Sequence, residues 1–152
     1  EQLRLLPGVD LALTTNGSLL SDQAAALAAA GLDRITVSLD SLDDAVFRSM
    51  NDARFPVARV LEGIAAAEAA GLKPIKINAV VRRGANEESI LALVERFRGT
   101  GHVVRFIEYM DVGTTNRWRQ EEVVPAREIV ERIAGRHAIE PVENTAPPFG
   151  VS

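Results

Sequence analysis

The stretch Ile75-Lys76-Ile77-Asn78-Ala79-Val80-Val81 decides the fold. Strand side chains alternate, so Ile75, Ile77 and Ala79 share one face and Lys76 and Asn78 the other. A flat parallel sheet sandwiched between helix layers reads apolar on both faces. Buried polar groups without partners cost free energy. The segment ITVSLDS, residues 35–41, repeats the pattern, with Ile35, Val37 and Leu39 opposite Thr36, Ser38 and Asp40. Two further strand-like stretches, LALTTNG (11–17) and RFIEYMDVG (105–113), also end in polar residues. Together they predict an α/β protein with a curved sheet, helices outside and a ligand inside.

Lys76 is the sharpest single residue. A lysine inside an apolar strand requires a wet or ligand-bound face, unless the strand lies at a sheet edge and the side chain snorkels into solvent. As a functional group it either holds an anion such as phosphate or forms a Schiff base. Thr14, Thr15, Asn16 and Gly17 end the first strand, where turn chemistry competes with ligand binding. Ser38 and Asp40 point inward one step before Ser41, which reads as the N-cap of the next helix. Arg105 is a second anion ligand by its chemistry, and Glu108 a structural partner for an inward base. Arg105 and Met110 are five apart, so in a regular strand only one of them points inward.

Around these strands the chain alternates strand and helix. Ser21 reads as the N-cap of an alanine-rich helix stopped at Gly31. Ser41-Leu42-Asp43-Asp44 reads as a capping box for a short helix ending near Asn51. Pro56 opens a helix with a stripe of Val57, Val60, Leu61, Ile64 and Ala65, closed by Gly71. Asn86 reads as the cap of a helix carrying Ile90, Leu91, Val94 and Phe97. A last helix near 126–135 turns Ile129, Val130 and Ile133 inward, and HAIEPV (137–142) reads as a short final strand. Helical crossovers imply parallel strands, whose C-terminal tips form one rim.

Composition narrows the function. The 152 residues, 47% hydrophobic and 25% charged, are enough for one compact domain. A net charge of −4 without a basic stripe argues against nucleic acid as a partner. Arg82–Arg83 and Arg117/Arg119 read as solvated loop residues. No run approaches membrane-spanning length, which gives a cytoplasmic expectation and no membrane partner. There is no cysteine, so nothing in the chain can form a disulfide or hold a cluster through thiolates. His102 and His137 lie far apart and outside any metal-ligand spacing. The opening EQLRLLPG and the closing NTAPPFGVS read as interior to a longer polypeptide. No Ser/His/Asp set, phosphate-binding P-loop or dinucleotide fingerprint is present.

The ordered set TTNG (14–17), RITVSLDS (34–41), KINAVVRRGAN (76–86) and VRFIEYMDVG (104–113), the last followed by Asn116 and Trp118, resembles the central part of the GTP 3′,8-cyclases. These are radical S-adenosylmethionine (SAM) enzymes of molybdenum-cofactor biosynthesis, and the similarity runs from about residue 10 to 143. The resemblance implies an incomplete six-stranded (β/α) TIM-like barrel, of which residues 1–135 are the central part. Residues 136–152 then hold a terminal strand and the start of a linker toward a cluster-binding region. It implies SAM contacts at Ser38 and Met110, the latter through backbone, and GTP contacts at Thr14, Lys76 and Arg105. It favours anion binding for Lys76. The family converts GTP to (8S)-3′,8-cyclo-7,8-dihydroguanosine 5′-triphosphate, using SAM and two 4Fe-4S clusters. A possible homodimer follows from the resemblance, as does a next pathway enzyme that acts on the product.

The departures are equally specific. The family's cluster cysteines and the first barrel strands with their glycine-rich SAM motif are absent from these 152 residues, so the chain alone is expected to be inactive. Two other readings remain. One is a Schiff-base lyase or aldolase using Lys76, with Glu108 or Asp40 as acid–base. The other is a non-catalytic, nucleotide-binding relative.

Overall fold

The computed structural model describes residues 9–110 and 119–142. Four strands, β1 (Ala12–Thr15), β2 (Arg34–Ser38), β3 (Lys76–Val81) and β4 (Val103–Glu108), pair in parallel in the order β1-β2-β3-β4. Helix α1 (Leu20–Ala29) links the first pair. Helices α2 (Asp44–Asn51) and α3 (Val57–Ala69) link the second, and α4 (Ser89–Phe97) the third. A fifth helix, α5 (Ala126–Ala134), follows β4.

The strand order never reverses. Crossovers of one hand between successive neighbours place every helix on the same side of a sheet. That is the winding of a (β/α) barrel wall, whereas doubly wound sheets reverse at a switch point. Burial agrees with this winding. Ile35, Val37, Leu39, Ile75, Ile77 and Ala79 are at most 1% exposed, packed with Leu20, Val60, Ile64, Leu93 and Phe97 of the helices. Each such aliphatic side chain contributes roughly 2 kcal/mol on burial. The opposite face is open: Thr36, Ser38, Lys76 and Asn78 are half-buried, and Thr14 and Arg105 exposed. A smaller cluster of Val81, Ile90, Val124 and Ile129 seats α5 beside α4.

Two glycines set the approach of α1 and α3. A Cβ on Gly63 would lie 2.8 Å from Leu20 Cβ, and one on Gly17 (φ +77°) 2.9 Å from Val60 Cγ1. Only a missing side chain permits either contact.

Several local expectations need correction. The N-cap of α1 is Leu19, and Ser21 lies inside the first turn. Asp43, not Ser41, caps α2, its carboxylate accepting from Val46 N at 2.9 Å. A carboxylate at that end also meets the positive pole of the helix. Ser41 Oγ instead accepts from Asp43 N and from the Ser89 hydroxyl, pinning α4 to the tip of β2. Ala65 is exposed on α3, where the inward set is Val57, Val60, Gly63, Ile64 and Ala67. Leu93 joins Ile90 and Phe97 inside α4, while Leu91 and Val94 are only half-buried. Val130 of α5 is 51% exposed, because 100° per residue turns it away from Ile129. Residues 138–142 are exposed and form no strand. The expected linker beyond them, and Arg117 and Trp118, lie outside the described residues.

Candidate functional site

The register aligns the residues singled out in the sequence. Thr14 pairs with Thr36, Thr36 with Lys76, and Lys76 with Val103, forming one transverse row. Ser38 pairs with Asn78, and Asn78 with Arg105, forming the next row toward the strand tips. Paired residues of parallel strands face the same side. Thr14, Ser38, Lys76 and Arg105 therefore share the face away from the helices, on a patch of roughly 15 by 7 Å. Lys76 sits on an inner strand with neighbours on both sides, which removes the edge-strand reading. Met110 lies two residues past the end of β4 and is 55% exposed, so it reaches the rim from beyond the strand.

At the end of β1, Thr15 Oγ1 accepts from Gly17 N and Asn16 Oδ1 from Ser18 N. These two residues build the turn, and Thr14 is left on the open face. Ser38 and Asn16 also line a cavity of about 320 Å³ with Asn51, Asp52, Arg54 and Phe55 from the α2–α3 connection. None of these four residues was singled out from the sequence as a site residue, because they approach Ser38 only through the fold.

Beyond Ser38, the rim is held by a buried polar latch. Asp40 is 6% exposed, and its carboxylate accepts from Val80 N at 2.8 Å, in effect adding a rung to the β2–β3 pairing. Burial pushes its carboxyl above the usual carboxylate range, opposed by the Val80 N–H. Asn86, 3% exposed, donates to the carbonyls of Asp40 and Val80 and accepts from Arg82 N. It is thus no helix cap, and α4 starts at Ser89. An asparagine this well satisfied inside a tight connection holds two strand tips at fixed spacing.

The basic pair after β3 is likewise engaged. Arg82 grips Glu122 through two nitrogens, at 2.8 and 3.1 Å, and lies 5.2 Å from the centre of the Tyr109 ring. Arg83 pairs with Glu128 of α5. Those hydrogen bonds hold both glutamates below the usual carboxylate range. Glu108 faces the helix side and accepts from Ala126 N, at the start of α5. It is no partner for an inward base. With Asp40 and Glu108 both committed to structure, Lys76 lacks the acid–base partners that a Schiff-base lyase would draw from them.

His102 Nδ1 accepts from Ile75 N, and among the described residues no cluster of three His, Cys, Asp or Glu could hold a metal. Nor is any helix among them long and apolar enough to cross a membrane.

A single-wound parallel wall with a polar inner face is the setting of the radical SAM superfamily, whose family model matches residues 1–97. The chain belongs to that superfamily. Among its relatives is a GTP 3′,8-cyclase of Xanthomonas campestris pv. campestris (strain 8004). The two are 55% identical over 144 residues, which is 94% of this chain and 42% of the relative. The GTP 3′,8-cyclase of Acidothermus cellulolyticus is 52% identical over 143 residues, 93% of this chain and 40% of its own length. The chain thus spans about two fifths of these relatives. A radical SAM methyltransferase structure from Sphaerobacter thermophilus superposes with a TM-score of 0.63 at 16% identity, over 81% of this chain and 36% of that one. That likeness speaks to fold alone.

Proposed function

We propose that this chain forms the central barrel wall of a GTP 3′,8-cyclase acting in molybdenum-cofactor biosynthesis in the cytoplasm. The observation that carries the reading is the register. It brings Thr14, Ser38, Lys76 and Arg105 together on the one sheet face that the helices leave open. Lys76 and Arg105 bind the GTP triphosphate, with charge-assisted hydrogen bonds worth about 1.5–3 kcal/mol each. Thr14, in the same row as Lys76, contacts GTP beside it. Ser38 and the Met110 backbone hold SAM, which supplies the radical that begins the cyclisation when bound. The latch of Asp40 and Asn86 keeps the tips of β2 and β3 apart by a fixed amount, so that Ser38 stays in register with the nucleotide row.

The residues present do not fit an iron–sulfur cluster, because the chain has no cysteine. In this reading the ligands for two 4Fe-4S clusters come from polypeptide outside these 152 residues, and a homodimer and a downstream enzyme that consumes the product complete the setting.

The test is Lys76→Ala in the full-length enzyme. GTP affinity is expected to fall about 10- to 100-fold, one charge-assisted contact, with SAM affinity little changed. Titration calorimetry of both ligands decides. Equal loss of both would mark Lys76 as structural, and trapping of a carbonyl substrate on Lys76 by borohydride would revive the lyase reading.

A further inference from the structure

Arg82 joins three parts of the rim. Its backbone N–H donates to Asn86 Oδ1 at 2.8 Å, which fixes it at the tip of β3. Its guanidinium Nη2 and Nε donate to the two carboxylate oxygens of Glu122, in the short 3-10 turn Gln120–Glu122. An antiparallel bridge from Arg82 to Val123 holds that turn against β3, as does Arg83 N, which donates to the Glu122 carbonyl at 2.8 Å. The same guanidinium lies 5.2 Å from the centre of the Tyr109 ring, at the end of β4. Carried one step on, the register that pairs Val80 with Ile107 and Val81 with Glu108 sets Arg82 opposite Tyr109. Both then lie on the side of the sheet that carries Asn78 and Arg105.

Two roles are open to an arginine in this place. As an anion ligand beside Lys76 and Arg105 it would present its guanidinium edge to phosphate. That edge is taken by Glu122, so an approaching triphosphate meets a neutralised cation and a repelling carboxylate. The geometry instead sets the flat face of the guanidinium on an aromatic ring while its edge grips a carboxylate, a combination that arginine alone provides. On the other side of the sheet the preceding residue is held as well, Glu108 accepting from Ala126 N. The end of β4 is thus anchored from both faces immediately before Met110.

We propose that Arg82 is a positioning residue for the Met110 backbone: anchored by Glu122, it fixes the Tyr109 ring and thereby the peptide that follows, which SAM contacts. This rests on the function proposed above, in which Met110 holds SAM and not GTP. Arg82 then acts on one ligand of the two.

The experiment measures Kd for SAM and for GTP on the full-length enzyme carrying Arg82→Met, Arg82→Lys, Tyr109→Leu or the pair Arg82→Met with Tyr109→Leu. Arg82→Met and Tyr109→Leu are each expected to weaken SAM about 10-fold, the effect of one misplaced hydrogen bond, and to leave GTP within about 2-fold. Arg82→Lys should lose nearly as much as Arg82→Met, since an ammonium cannot grip the carboxylate edge-on and cover the ring together. The double variant should bind SAM no more weakly than the weaker single variant, because both changes cut the same link. A wall that is merely loosened would weaken both ligands, so the split between SAM and GTP separates positioning from general stability. The inference is overturned if GTP weakens as much as SAM, if the two single losses multiply in the pair, or if Arg82→Lys keeps wild-type SAM affinity. GTP weakened more than SAM would overturn it in favour of an anion ligand. Wild-type enzyme that binds no SAM would overturn the proposed function itself, whereas wild-type binding that no variant alters overturns the role of Arg82 alone.

Discussion

Asp40 shows how a polar residue at a strand tip can look functional and be architectural. Its carboxylate completes the β2–β3 ladder at Val80 N, yet burial raises its pKa. The folded chain therefore holds the Asp40 proton more tightly than the unfolded chain. The resulting stability is fully present below the ordinary carboxylate pKa and is lost as pH rises through the raised one. Asp40→Asn keeps an oxygen for Val80 N and removes the buried charge. The variant is expected to exceed wild type in stability at pH 7, with the advantage vanishing below about pH 4. Urea unfolding at both pH values checks this, and an advantage that persists at low pH would show that charge burial is not its source. The alternation of Lys76 and Asn78 against Ile75 and Ile77 was readable in the sequence because strand period 2 is purely local. The role of Asp40 was not, since its partner lies 40 residues away on another strand.

The connections after the strands, more than the strands themselves, set the geometry of the rim. Asn86 makes three hydrogen bonds from a buried position, and Asn86→Ala would leave two carbonyls and one N–H unpaired. A loss of about 3 kcal/mol is expected, read as a lower urea midpoint, and a loss below about 1 kcal/mol would mean that water replaces the side chain. The crossing of α1 over α3 offers a second check. Gly63→Ala must push Leu20 aside and is expected to cost about 1–3 kcal/mol. Gly135→Ala, just past α5 with no atom nearer than 3.6 Å to the new Cβ, should be neutral within about 0.5 kcal/mol. Equal effects on thermal melting would mean that the helices separate freely. Helix existence was legible from the 3.6-residue spacing of Val57, Val60 and Ile64. The caps were not, because Ser41 and Asn86 have the right chemistry for capping but are drawn into contacts between elements.

For the whole molecule, the single-wound order leaves β1 and β4 as edges among the described strands and one sheet face without helices. The alternating strands foretold that face, whereas the absence of a strand at 137–142 could not be read from HAIEPV, whose composition suits an edge strand but which pairs with no strand among the described residues. Unpaired backbone N–H and C=O groups along parallel edges are templates for another chain. The isolated 152-residue chain is therefore expected to self-associate, its sedimenting mass rising with concentration. A mass that stays at the 16.4 kDa monomer at high concentration would show that both edges are covered. The same open geometry predicts how this chain treats its proposed ligands. Lys76, Arg105, Thr14 and Ser38 line one wall, and affinity built from one wall lacks the enclosure that excludes water from charge-assisted hydrogen bonds. Calorimetry on the isolated chain is expected to find binding of GTP and SAM weaker than about 100 μM, roughly −5.5 kcal/mol. Micromolar binding of either would mean that this wall alone supplies most of the binding energy, and the proposal that the site is completed by other polypeptide would then fail.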